Sequence, residues 1–481
     1  MASITEEPRP AARGADRAVS AAMATVMASE VLWLATGWPL FEFTVDAGLI
    51  AVVALSAPRF GLREVYLLTL CAALAGAVLA THDAPWAVLA GALDQAAFLM
   101  AFILLIGLVQ QAASSSGAIR DCGLFLTRQP SGRRYLALFL GTHLMAQIFN
   151  LGAISLLTPL VKSGSAANAE DALQPIRERR QLNALLRGFA WCVIWSPTAV
   201  APLVVMTLLP AADRALWIGA GVAIAMVVML VGWAEDRWAW RSVRRRLAQG
   251  APSAAPPFPA RAFGDFGLVC LALLGLTLGA MGLAEGTVVF GLMAASPLVL
   301  LGWLLGQNGV AAGRASAALR ATGVRLSEIY RGYLPRSAPL AVTLACSGFV
   351  GRAAAALIPA ADWAEAAGLA DLPGWVFCVG LSVGVAILSQ FALSPIMMAV
   401  FFGSLIADIP VLPVDVTWAA LAISCGWALS MTISPFATVV LMMEQITDHP
   451  GRELTWHWNW RYSLLCVLVL AAAFWLLTGG R

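Results

Sequence analysis

Side chains able to form bonds to substrates or hold metals are few in this chain and widely scattered. Its four histidines, His82, His143, His449 and His457, form no cluster. Seven of the eight cysteines lie inside apolar runs, Cys122 sits alone in a basic segment, and none has metal-ligand spacing. No G-x-x-x-x-G-K-[ST] phosphate loop occurs, which argues against nucleotide-driven work by this chain alone. The sequence nominates no catalytic residue, no metal ligand and no cofactor. Polar residues and prolines do interrupt long apolar stretches: Gln147, Asn150 and Gly152 in GTHLMAQIFNLGAISLLTPLV, and Ser196, Pro197 and Thr198 in WCVIWSPTAVAPLVV. Ser394 and Pro395 in SQFALSPIMM, and Ser434, Pro435 and Thr438 in MTISPFATVV, repeat the device. Proline removes a backbone donor and clashes with the preceding turn, freeing carbonyls, while the restarted helix exposes N–H groups with partial positive charge. Such breaks offer donors to an anion and carbonyls to a cation. For any one Ser-Pro an ordinary kink is the simpler reading; four breaks at related positions favour a substrate site.

These breaks sit in a chain built for lipid. Its 481 residues are 60% hydrophobic and only 12% charged, with a mean hydropathy of +0.81, too few charges to wet a soluble surface of that size. A disulfide scaffold is excluded by the cysteine placement, and a nucleic-acid partner by a net charge of only +3. A bilayer core of about 30 Å needs roughly 20 apolar residues per helix. Eleven runs qualify: 18–37, 40–58, 65–81, 87–110, 185–211, 215–235, 265–283, 288–306, 338–358, 416–446 and 462–479. Two further stretches, 135–161 and 375–407, are long and interrupted. Read as re-entrant hairpins, they leave nearly all basic residues on one side, as the positive-inside rule requires; read as single crossings, they move three basic loops outside. The expected fold is therefore an all-α polytopic membrane protein with about eleven transmembrane helices and two re-entrant hairpins. Its N-terminus is expected in the cytoplasm and its C-terminus outside, in a bacterial-type inner membrane.

An internal repeat organises the chain. Gly123-Leu124 is matched by Gly368-Leu369, Gln147 by Gln390, and Ser196-Pro197-x-Ala199 by Ser434-Pro435-x-Ala437, in colinear order. The first hairpin is flanked by basic loops and the second by acidic ones, so the halves are expected to have inverted topology, a signature of secondary transporters with mid-membrane sites. The boundaries are a polar tail at 1–17 with no cleavage site evident after it, a first half at 18–246, a Pro/Ala linker at 247–263 and a second half at 264–481.

With these features in place, the chain resembles the ion transporter superfamily, in particular the divalent anion/sodium symporters and their arsenite-efflux relatives. FNLGAISLLTPLV, with Asn150 nine residues before Pro159, is similar to the family's first hairpin. Pro435-Phe436-Ala437-Thr438 is similar to its Pro-x-Ala-Thr stretch, although Phe149 and Leu151 stand where the family has hydroxyls. The resemblance implies secondary transport of a small anion, an elevator-type mechanism and a homodimer.

Charges inside spans refine that expectation. Arg352, in CSGFVGRAAAALIP, costs about 2.5–3.5 kcal/mol at a bilayer centre and must face protein or water. It reads either as an anion-compensating residue or as the structural partner of Asp94, itself a candidate proton carrier. The coupling ion stays open between Na+ and H+. His143 reads as a packing histidine, and residues 311–336 as an interfacial amphipathic helix. A membrane-embedded enzyme acting on a lipid-linked substrate and an ion channel are the alternatives. Scattered histidines and short outer loops disfavour the enzyme; two inverted hairpins suit alternating access better than a channel.

Overall fold

The computed structural model describes residues 10–130, 132–166, 173–242, 256–284, 286–312, 315–391 and 393–480. They are helical almost throughout, with no strand among them. In chain order the helices are α1 (Pro10–Thr36), α2 (Pro39–Ser56), α3 (Leu62–Thr81), α4 (Pro85–Ser114), α5 (Gly117–Thr127), α6 (Arg134–Phe149) and α7 (Leu151–Ala166). They continue with α8 (Gln174–Cys192), α9 (Val200–Leu208), α10 (Arg214–Ala239), α11 (Ala260–Ala284), α12 (Val288–Ala312), α13 (Ala315–Glu328) and α14 (Leu334–Ala356). The last six are α15 (Ala360–Ala366), α16 (Gly374–Leu388), α17 (Pro395–Asp408), α18 (Val416–Ile433), α19 (Thr438–Thr447) and α20 (Trp460–Leu477).

Among the described residues, eleven segments are long and apolar enough to cross a membrane. They match the expected spans with one exchange. The expected span 185–211 divides into α8 and α9, whereas 374–391, the first arm of the expected second hairpin, does qualify. The expected 135–161 hairpin corresponds to α6 and α7, and the expected 375–407 hairpin to α16 and α17. Two other boundaries differ. Helix α1 already begins at Pro10, inside the expected tail, of which residues 1–9 lie outside the described residues. The amphipathic segment is not a separate interfacial helix: α13 continues through a π-helical turn at Ile329–Tyr333 into α14, making one long helical span from Ala315 to Ala356. Of the linker, 256–259 lack regular structure, α11 begins at Ala260, and the stretch before 256 lies outside the described residues.

The chain forms two compact units, each drawing on both halves of the sequence. The first comprises residues 1–112 and 269–353. Within it α4 and α14 pack closely and antiparallel. A Cβ on Gly348 would lie 2.9 Å from the Gln95 carbonyl, and one on Gly107 would overlap the Tyr333 hydroxyl at 1.8 Å. Only glycine allows that approach. Helices α3 and α11 in contrast bury little of their surface, as helices bathed in lipid do.

The second unit, residues 113–268 and 354–481, holds both helix–break–helix pairs and both Ser-Pro breaks. Its elements repeat in order, α5 to α10 matching α15 to α20. Contacts between the halves are reciprocal: α7 packs on α19, as α17 packs on α9, and α8 meets α18. Each arm approaches its broken helix through a glycine. A Cβ on Gly188 would sit 2.4 Å from the Phe139 carbonyl, and one on Gly426 2.7 Å from the Ser382 carbonyl.

Candidate functional site

The two Ser-Pro breaks have the same local geometry. After α8 the backbone turns through Ser196, whose N–H reaches the Cys192 carbonyl at 3.1 Å and whose carbonyl accepts from Ala199 N–H at 3.3 Å. After α18, Ser434 does the same with Ser430 at 2.8 Å and Ala437 at 3.3 Å. Each serine Oγ accepts the N–H two residues on, Thr198 or Phe436, at 3.3 Å in both halves. Neither α9 nor α19 has a side-chain cap, so their first-turn N–H groups lack the usual local acceptor.

Hydroxyl groups brace each break to the adjacent hairpin. Ser434 Oγ donates to the Ser389 carbonyl at 2.7 Å, beside Gln390. In the first half Thr198 Oγ1 donates to the Gln147 carbonyl. Ser196 and Ser434 are fully buried. Both serines therefore position the breaks, while Thr198, Pro435 and Thr438 are half-buried and Pro197 is exposed.

The first hairpin turns on a single residue. Asn150 adopts φ +46°, ψ −126°, a conformation L-residues rarely adopt, at an expected cost of about 1–3 kcal/mol. Its side chain and Gly152 are half-buried. Gln147 donates through Nε2 to the His143 carbonyl at 3.3 Å, while its Oε1 is buried without a partner. The buried Thr158 hydroxyl on α7 is likewise unpartnered. In the second half Gln390 repeats the first bond, to Ala386 at 3.3 Å, but its Oε1 accepts from Trp456 Nε1 at 3.0 Å. In the sequence Gln390 reads only as the repeat partner of Gln147. Ser394 uses its hydroxyl as the N-cap of α17, accepting from Met397 N–H at 3.2 Å, with Pro395 buried in the first turn.

His143 has a structural place. Trp195 Nε1 donates to its Nε2 at 2.9 Å, which leaves Nδ1 carrying the proton and donating to the Gly188 carbonyl at 3.0 Å. That assigns a neutral ring, stacked on Phe139.

Arg352 and Asp94 lie in the first unit, on the facing helices α14 and α4. A Cβ on Gly91 would stand 3.9 Å from Arg352 Nε, so the guanidinium crosses α4 within a turn of Asp94. Asp94 is exposed, and its carboxyl feels the electrostatic field of Glu42, while the Glu30 and Asp46 carboxyls feel that of Asp94. Glu30 is buried. Four acids on three helices thus share one region of the first unit, a grouping that no sequence spacing announces.

No protein-family model matches the chain, and no curated protein matches it either. Solved structures share its fold, the following two among them. The YdaH transporter of Alcanivorax borkumensis, reported as having an unusual topology, superposes with a TM-score of 0.52 at 14% identity, over 87% of this chain and 98% of its own. Neisseria gonorrhoeae MtrF, described as illuminating a class of antimetabolite efflux pumps, superposes with a TM-score of 0.50 at 13% identity, over 92% of this chain and 96% of its own. The likeness is therefore one of fold across nearly the full length: a multi-pass, all-helical membrane architecture that known transporters also use.

Proposed function

We propose that the protein is a secondary active transporter of a small anion, a carboxylate or an oxyanion, working by ion-coupled symport or exchange. The observation that carries this reading is the pair of breaks with the same backbone geometry, each braced to its own hairpin by a hydroxyl, gathered in one compact unit. Uncapped N–H groups of α9 and α19 present partial positive charge, and neither hairpin nor break contributes a carboxylate to oppose it. An anion is the guest such a site favours. Gln147, Asn150, Gly152, Thr198, Thr438 and the cap at Ser394 supply its polar contacts, with Ser196, Pro197, Pro395, Ser434 and Pro435 shaping the backbone.

Movement is elevator-type in this proposal, with the hairpin-bearing unit carrying the site. The arms support the hairpin reading. Helix α7 has 16 residues and α17 has 14, so at about 1.5 Å per residue both fall short of a core about 30 Å thick. Inverted topology, the homodimer and membership of the ion transporter superfamily belong to the same proposal. A coupling cation has two stations with suitable chemistry. Each of two unpartnered oxygens in the first hairpin, Gln147 Oε1 and the Thr158 hydroxyl, is a ligand type that suits Na+, whereas the Asp94 carboxyl suits H+. Arg352 compensates anionic charge in the first unit.

The test is a thermal-shift screen of the purified protein against carboxylates and oxyanions, with sodium, potassium and pH varied, because a ligand that binds only the native state raises its apparent stability. Antimetabolites that are organic acids belong in the panel, given the described role of MtrF. Cation-dependent stabilisation by at least one anion, lost in Asn150→Leu, is expected. Stabilisation by none would remove the anion reading.

A further inference from the structure

A second binding feature lies in the hairpin-bearing unit, away from the breaks. The middle of α8, the end of α10 and the segment 457–461 line a cavity of about 270 Å³. Its floor is a built polar network. Arg187, 1% exposed, donates to Asn459 Oδ1 at 2.7 Å and to Glu235 at 2.9 Å, and its guanidinium lies 4.0 Å from the Tyr462 ring centroid. Arg180 holds Asp236 through two bonds, at 2.9 and 2.6 Å. Both cavity carboxylates are thereby matched by arginines.

Two further arginines at the rim have no carboxylate at ion-pair distance among the described residues. Arg179 is held between the Trp240 and Trp458 rings, at 5.4 and 5.2 Å from their centroids, and its buried Nε has no hydrogen-bond partner. Burial holds its pKa below the ordinary guanidinium value, with Glu235 and Glu453 acting the other way. Arg461 is exposed and stacks over Trp460 at 5.1 Å. The cavity thus combines a rigid, charge-balanced floor with two surplus cations and flanking indoles. Tryptophans gather at the headgroup level of membranes, and basic pockets between helices there take lipid phosphates.

We infer that this cavity binds a phosphate group, gripped by Arg179 and Arg461, as found on an acidic phospholipid headgroup or on a soluble phosphate ester. Planar guanidinium groups pair with phosphate oxygens through two parallel N–H bonds, and because the Arg179 Nε is closed off from solvent, its terminal nitrogens are the donors left for such a pair. Trp240 and Trp458 fix that side chain in advance, so little freedom is lost on binding.

The experiment uses the purified full-length chain in a neutral detergent. Thermal stability is measured with phosphatidylglycerol, with zwitterionic phosphatidylcholine, and with glycerol 3-phosphate, and bound lipid is counted by native mass spectrometry. Phosphatidylglycerol is expected to stabilise and co-purify, phosphatidylcholine much less. Stabilisation by glycerol 3-phosphate as well shows that the phosphate alone suffices; stabilisation by the lipid only identifies the headgroup as the source. Arg179→Gln/Arg461→Gln should weaken the response roughly tenfold or more in ligand concentration, with Arg179→Lys intermediate. Arg461→Gln alone alters an exposed residue and keeps the test valid should the double variant fail to fold. Absence of stabilisation by either phosphate compound overturns the inference, as does an unchanged response in Arg461→Gln together with the double variant or, if that does not fold, Arg179→Lys.

Discussion

Replacing Ser434 by alanine removes the hydroxyl that ties the second break to its hairpin. Two bonds disappear: the 2.7 Å donation to the Ser389 carbonyl and the 3.3 Å acceptance from Phe436 N–H. The site is fully buried, so water cannot replace the hydroxyl. A lost hydrogen bond costs about 1 kcal/mol and a stranded, partly buried donor about as much again, roughly 2 kcal/mol together. That is about thirtyfold in the balance between braced and unbraced hairpin, and it caps the loss of apparent affinity for a substrate that needs the braced form. Ser434→Ala should therefore lower the thermal midpoint and weaken substrate-induced stabilisation by roughly 3- to 30-fold. Ser382→Ala is the control. Its hydroxyl ties the same hairpin arm to the Cys378 and Ala422 carbonyls at 2.9 and 2.8 Å, away from the break. It should lower the midpoint comparably and leave substrate affinity intact. Equal affinities in Ser434→Ala, Ser382→Ala and the parent chain would refute the argument that the brace positions the site.

Asn150→Gly relieves a positive φ and should keep or raise the stability of the fold, by up to about 1 kcal/mol, while abolishing substrate-induced stabilisation through loss of the amide. Retained binding would make Asn150 a turn residue only. Arg352→Gln should leave folded protein in the membrane and abolish uptake; normal uptake would restrict Arg352 to packing. In a background without native cysteines, Ser163→Cys and Asp362→Cys, both exposed positions, should react with an impermeant maleimide from opposite sides of the membrane, and labelling from one side would remove the two-hairpin topology. Lys162 donates to the Ile446 carbonyl at 3.0 Å and pairs with Asp448, holding that carboxyl below the usual carboxylate range. Because the folded pKa is depressed, the contribution is complete above the ordinary Asp value of about 3.9 and fades only as pH falls through the folded pKa. Asp448→Asn should therefore lower the midpoint slightly at neutral pH, less in high salt because Asp448 is exposed, and the variant should converge with the parent chain in strong acid.

What could be read from the sequence follows from what leaves a local trace. Apolar length gave the spans, and the polar interruption at Gln147–Asn150 and the prolines at 197 and 435 marked the breaks, because a missing donor or an unfavourable φ acts within a few residues. Helix α8 was harder. Its first turns are polar and Arg187 is fully buried, which the distant Tyr135, Glu235, Asn459 and Tyr462 make possible. The acidic group of Glu30, Asp46 and Asp94 and the indole-walled cavity around Arg179 were illegible for the same reason, since their members come from separate helices with no common spacing. The buried roles of Ser196 and Ser434 also lay beyond sequence, because a hydroxyl beside a proline can face a ligand or a carbonyl equally well.

The central claim, coupled transport of an anion, is tested most directly in sealed proteoliposomes containing only this chain, with no nucleotide present. A radiolabelled anion chosen for stabilising the purified protein is supplied, and an inward sodium or proton gradient is imposed in turn. The account predicts accumulation of the anion above its external concentration with one of the two gradients, and collapse of that accumulation when an ionophore dissipates it. Entry that only equilibrates, at a rate indifferent to both gradients, would contradict it.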